Sequence, residues 1–166
     1  MDRSRLLPWA GLAVRLAGSA VWIFAGVTKL TDLDGFQLQV HAYQVLPSGL
    51  ESAFSYALPL VEVVLGLYLL AGALVRPVAV VSCVLMAIFI AAEAQAWARG
   101  LAIDCGCFGT TVQTTVGATT ILRDLALGIP FYLLAWRPAR RLSVDQALLG
   151  REDRFAITPP SARTPA

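Results

Sequence analysis

Charge is what this sequence has least of. Only 14% of its 166 residues are Asp, Glu, Lys or Arg and 57% are hydrophobic, whereas about a quarter of a typical soluble domain is charged. That leaves too little polar surface to coat a soluble globule, so the composition is that of a membrane protein. The net charge is only +2 and the arginines are scattered rather than clustered, which excludes a nucleic-acid patch. Histidine is almost missing. His41 stands alone, so a soft-metal (copper or zinc) site would rest on two cysteines and this one distant imidazole, a weak ligand set. The chain has no internal repeat and no sign of a second domain. It also lacks the inverted repeats of transporters, although Pro59 and Pro130 can kink their helices.

What the chain does have is long apolar runs. A helix needs about 20 mostly apolar residues to cross about 30 Å of hydrocarbon, and four stretches qualify: Leu6 to Val27, Phe54 to Val75, Pro77 to Ala98 and Val116 to Trp136. The expected fold is therefore all-α, a four-helix transmembrane bundle over 1–136, followed by a cytoplasmic tail over 137–166, partly disordered and with a helical turn or two after Ser143. Arg76-Pro77 is the expected break in a tight hairpin between the second and third spans. The first span is too long, and lacks too clear a cleavage site, to be a signal peptide. Beyond Thr31, the residues Leu33, Phe36, Val40 and Tyr43 recur at helical spacing, predicting a short interfacial helix that Pro47 ends.

Orientation follows the basic residues. Arg3, Arg5, Arg76, Arg137, Arg140 and Arg141 flank one side, while the opposite loops carry Lys29 and Arg99 among several acids. Both termini are then expected in the cytoplasm of a multi-pass cell-membrane protein, with the first and third loops outside.

The third loop holds the most informative stretch, Asp104-Cys105-Gly106-Cys107-Phe108-Gly109. Two thiols one residue apart at an outer membrane face point to redox chemistry. Cysteines at i and i+2 can join only across a tightly folded backbone, which Gly106 permits. The expected chemistry is thiol–disulfide exchange through a mixed disulfide, either cysteine attacking and the other resolving. Asp104 is expected to order the loop. A permanent staple would close too small a loop to stabilise much, and Cys83, alone in the third span, reads as packing.

A charge inside hydrocarbon costs about 2.5–3.5 kcal/mol even on the lenient insertion scale, so the polar residues of the spans must face protein or water. Arg15, Ser19, Trp22, Gly26 and Lys29 share one helical face, and Ser55, Pro59, Glu62, Gly66 and Ala73 share another. These faces are expected to meet, with Arg15 snorkelling to the cytoplasmic side. Lys29, Glu62, Glu93, Arg123 and Asp124 all fall in the outward half. They make either a structural ion-pair network or a set in which Glu62 or Glu93 moves protons while Lys29 or Arg123 stabilises a thiolate.

Several of these segments also carry a family likeness. Phe24 to Leu30, Tyr43 to Pro47, Leu58 to Glu62, Asp104 to Gly109 and Arg123-Asp124 together resemble the MauE branch of the DoxX-like membrane proteins, over roughly Trp9 to Trp136. The resemblance implies a redox-associated four-helix membrane protein. In MauE itself the association is with maturation of the disulfide-rich small subunit of methylamine dehydrogenase. The expected partners are the lipid bilayer and an extracytoplasmic thioredoxin-like protein or a secreted disulfide-containing client. A membrane quinone is the possible electron acceptor, by analogy with unrelated four-helix disulfide enzymes. The alternative classes are a non-catalytic assembly subunit or scaffold and a soft-metal binder.

Overall fold

A computed structural model describes residues 3–112 and 114–137. The chain forms five helices: α1 (Arg3–Thr31), α2 (Leu33–Tyr43), α3 (Ser48–Ala71), α4 (Val75–Ala98) and α5 (Ala118–Trp136). Four of them are long and apolar enough to cross a membrane, over Trp9–Thr31, Gly49–Ala71, Val75–Ala98 and Ala118–Trp136. Large apolar side chains such as Leu60, Leu67, Val84, Leu122 and Ile129 point outward, as a lipid-facing surface requires and a water-facing one penalises. The expected tail, including Arg140, Arg141 and Ser143, lies outside the described residues.

The two polar stripes meet at the interface between α1 and α3. A Cβ on Gly26 would come within 2.7 Å of the Pro59 carbonyl oxygen, and one on Gly66 within 2.6 Å of the Ile23 side chain. Missing side chains thus let the two backbones approach, and the Ser19 hydroxyl donates across the gap to the Gly66 carbonyl at 2.8 Å. Deeper in the bundle Trp22 stacks on Phe131, ring centroids 5.3 Å apart, and its indole N–H donates to the Ser82 hydroxyl at 2.9 Å. Cys83 packs against this same core. Arg15 is buried at 2% exposure rather than snorkelling, because its position on α1 faces the bundle interior.

Two expected breaks move. The α3–α4 turn falls at Gly72 (φ 69°) and Leu74 (φ 52°), both left-handed, while Arg76 and Pro77 lie within the first turn of α4, where proline's missing N–H removes no helical bond. Likewise α2 ends at Gln44, whose left-handed backbone caps it, and Pro47 precedes α3 as its N-cap residue. At the start of α2, Asp32 accepts from the Gly35 N–H at 3.0 Å and from the Thr110 hydroxyl at 2.7 Å, tying the α1–α2 junction to the third loop.

Both bonds favour the charged form of Asp32, Thr110 more than Gly35, and hold its carboxyl below the ordinary value. The stabilisation is complete above the unfolded-state pKa of about 4 and fades as pH falls through the lowered one. Thermal unfolding in detergent is therefore expected to show a smaller loss between pH 6 and pH 3 for Asp32→Asn than for the unsubstituted protein. An equal loss would remove Asp32 from the account.

Candidate functional site

The loop between α4 and α5 is shaped by its backbone before any side chain acts. Asp104 pairs with Thr115 in an isolated antiparallel bridge. Flanking bonds run from Cys105 N–H to the Thr114 carbonyl and from Val116 N–H to the Ile103 carbonyl, each 2.9 Å. Asp104 thus takes part in the order of the loop through its backbone. The tip folds over the end of the bundle on two left-handed glycines, Gly106 (φ 69°) and Gly109 (φ 59°), where other residues would be strained. Gly109 also presses on α1: a Cβ there would lie 3.0 Å from the Thr28 carbonyl.

Within this tip Cys105 and Cys107 form a disulfide, their Cα atoms 5.5 Å apart. The charged residues picked out in four different helices converge on it. Lys29 from α1 and Glu62 from α3, 2% and 0% exposed, form a buried ion pair in which Nζ donates to both carboxylate oxygens at 2.9 Å. The same ammonium donates to the Cys107 carbonyl at 2.7 Å. Lys29 therefore holds the loop by its backbone and does not face a sulfur, and Glu62 is fully engaged by Lys29. On the other side, the Tyr43 hydroxyl of α2 donates to the Cys105 carbonyl at 2.8 Å. Burial first, and the nearby Glu93 next, push the Tyr43 phenol above its ordinary value, so it remains a donor.

The two sulfurs sit in opposite electrostatic surroundings. Cys105 Sγ accepts from the Arg123 guanidinium Nη2 at 3.0 Å and from the Cys107 N–H at 3.2 Å. Cys107 Sγ lies 3.1 Å from both Glu93 Oε1 and Asp124 Oδ2. Arg123 spans three groups at once: besides Cys105, its Nε donates to Asp124 Oδ1 at 2.8 Å and its Nη1 to the Thr114 hydroxyl at 3.3 Å. The guanidinium also rests on the Phe108 ring, 5.3 Å from its centroid. Cys105 is buried and Cys107 half-buried.

This environment favours one direction of bond breaking. A thiolate on Cys105 would be stabilised by a cation and an amide dipole, while a thiol on Cys107 would have two carboxylates to receive its proton. The ligand atoms of Cys105, Cys107, Glu93 and Asp124 also lie within 4.8 Å of one another, a group that offers four donors once the disulfide is reduced. His41 is not part of it. Its Nδ1 lies 2.9 Å from Glu51 Oε2, with the imidazole 68% exposed, because it sits on the polar side of α2.

Sequence alone does not mark Tyr43 and Asp32 as loop anchors. It shows Tyr43 as one residue of an apolar stripe and of the family-like segment Tyr43 to Pro47. The Asp32 cap had a local signal, an aspartate immediately before a helical pattern, but nothing local pointed to Thr110.

The family model for methylamine utilisation protein MauE matches residues 7–137. A curated relative, methylamine utilization protein MauE of Paracoccus denitrificans, is 32% identical over 116 residues, covering 69% of this chain. The chain spans 62% of that relative's length. No solved structure matches.

Proposed function

The chain belongs to the methylamine utilisation protein MauE family, and from that premise we propose that it exchanges disulfides with exported proteins through Cys105 and Cys107. The observation that carries this reading is the unequal flanking of the two sulfurs, a guanidinium at Cys105 and carboxylates at Cys107. A structural staple has no use for that asymmetry.

In the proposed cycle a client thiolate attacks the more accessible Cys107 sulfur. The Cys105–Cys107 bond breaks, and Cys105 leaves as a thiolate held by Arg123 and the Cys107 N–H. The client's second thiolate then attacks its own sulfur in the mixed disulfide, releasing the client as a disulfide and Cys107 as a thiolate. That thiolate takes up a proton through Glu93 or Asp124. Two electrons have moved from client to loop, and the direction of net flow is set by whatever reoxidises the pair. Lys29, Glu62 and Tyr43 act as positioning residues that hold the backbone of the loop.

The same reading places the loop on the outer face of the cell membrane and the termini in the cytoplasm. The α1 start, the α3–α4 turn and the α5 end share one end of the bundle and carry Arg3, Arg5, Arg76 and Arg137, as the basic-residue rule asks of a cytoplasmic face. An oxidising outer compartment suits an exchanging disulfide. The partner in the methylamine-utilisation setting named for the family would be an exported protein rich in disulfides, with a thioredoxin-like carrier as the other possible client.

Alkylation of intact cells with a membrane-impermeant maleimide tests location and redox state together. Cys105 and Cys107 are expected to label from outside only after reduction, with Cys83 protected throughout. Labelling that requires lysis, or that proceeds without reduction, would contradict the proposal. A second reading, binding of a thiophilic cation by the reduced pair, is favoured by the four-donor set alone; stoichiometric zinc in dithiol-form protein would support it.

A further inference from the structure

A cavity of about 170 Å³ opens beside the disulfide. Phe36 and Val40 of α2, Phe54 and Leu58 of α3 and Phe89 and Ala92 of α4 wall it, and Cys105, Gly106 and Cys107 line it from the loop. Val45 and Ile88 also line it while remaining about half exposed, at 54% and 51%. In a membrane, exposed apolar residues of this kind face hydrocarbon, so the approach to the cavity suits a lipid-soluble molecule better than an aqueous one.

Size and polarity narrow the occupant further. A dry cavity of about 150 Å³ holds one benzene ring, so this one accepts a single ring-sized head. The lining is apolar apart from a few polar side chains, among them Gln39 and Glu93. A few polar side chains in an otherwise apolar cavity orient a ring that carries oxygen, which the hydrocarbon of an acyl chain does not have.

We propose that the cavity is a quinone site that reoxidises the cysteine pair, an inference that rests on the exchange reading above. The ring sits against the sulfurs, with its isoprenoid tail leaving past Val45 and Ile88. The two cysteines lose two electrons and two protons: their S–H bonds break and the S–S bond forms. The quinone's two carbonyl oxygens gain those electrons and protons and become the hydroxyls of a hydroquinone. Glu93 also lies at Cys107 Sγ, so the proton leaving Cys107 has a carboxylate between the sulfur and the cavity.

The test uses the purified full chain in nanodiscs, reduced, desalted and kept without oxygen. Decylubiquinone is expected to restore the Cys105–Cys107 disulfide, with one quinol appearing per disulfide. Ala92→Trp, which fills the cavity from α4, is expected to slow that step at least tenfold more than it slows oxidation by glutathione disulfide. Val40→Trp supplies the same test from α2 should the first variant fail to fold. Oxidation by glutathione disulfide but not by decylubiquinone would overturn the quinone site and leave exchange standing. Equal quinone rates in the filled variants, or a tightly held phospholipid that decylubiquinone does not displace, would overturn it as well. Failure of both oxidants would overturn the exchange reading together with this one.

Discussion

Lys29→Met is expected to unfold the protein or lower its yield severely, the largest stability effect of any single substitution in the bundle. The ammonium is 2% exposed and its partner Glu62 is fully buried, so methionine leaves a carboxylate in the interior without its cation. Breaking one side of such a pair costs about 3–5 kcal/mol, which consumes much of the roughly 5–15 kcal/mol that holds an ordinary domain folded. Replacing both partners behaves differently, since a buried pair exchanged for apolar residues of similar volume is often neutral. The double variant Lys29→Met, Glu62→Met is therefore expected to regain most of the lost thermal stability. It is not expected to regain exchange activity, because the Cys107 carbonyl still lacks the donor that Lys29 supplies at 2.7 Å. Melting and exchange rates measured on both variants separate the two roles. A double variant as unstable as the single one would show that the pair contributes more than mutual neutralisation.

Arg123→Gln is expected to have the largest effect on chemistry. Losing the guanidinium strips Cys105 Sγ of its cationic neighbour at 3.0 Å and leaves Asp124 unpaired, so the Cys105 thiolate becomes a poorer leaving group. A preference for the anion worth about 1.4 kcal/mol corresponds to about tenfold, and a slowing of at least that size is expected at neutral pH in stopped-flow exchange with a model dithiol. Arg123→Lys should recover only part of the rate. One ammonium cannot serve Cys105, Asp124 and Thr114 together as the planar fork does. A rate unchanged in Arg123→Gln would show that the guanidinium only buttresses the loop.

Much of the bundle was legible because the bilayer imposes strong rules on sequence. Length and hydropathy mark the spans, and the cost of charge in hydrocarbon makes Lys29, Glu62, Glu93, Arg123 and Asp124 conspicuous. Helical period alone placed Ser19, Gly26, Glu62 and Gly66 on facing stripes, and all four are buried between helices. The assignment of partners was not legible. Lys29 and Arg123 are both cations near the loop, and only the fold shows that one holds a carbonyl while the other faces a sulfur. The break between α3 and α4 was misplaced for a local reason: proline reads as a helix stop, yet in a first turn it is compatible with the helix, and the left-handed Leu74 that makes the turn carries no sequence signal. The cavity was equally invisible, because its lining comes from four helices and two connecting segments.

The central claim is that the loop disulfide opens with Cys107 as the attacked sulfur and Cys105 as the leaving one. Single serine variants of each, expressed in cells and quenched with acid before non-reducing electrophoresis, test it most directly. Cys105→Ser is expected to accumulate mixed disulfides through the half-buried Cys107, at least tenfold above Cys107→Ser, in which only the buried Cys105 remains. Adducts of equal abundance in the two variants, or in neither, would contradict the account.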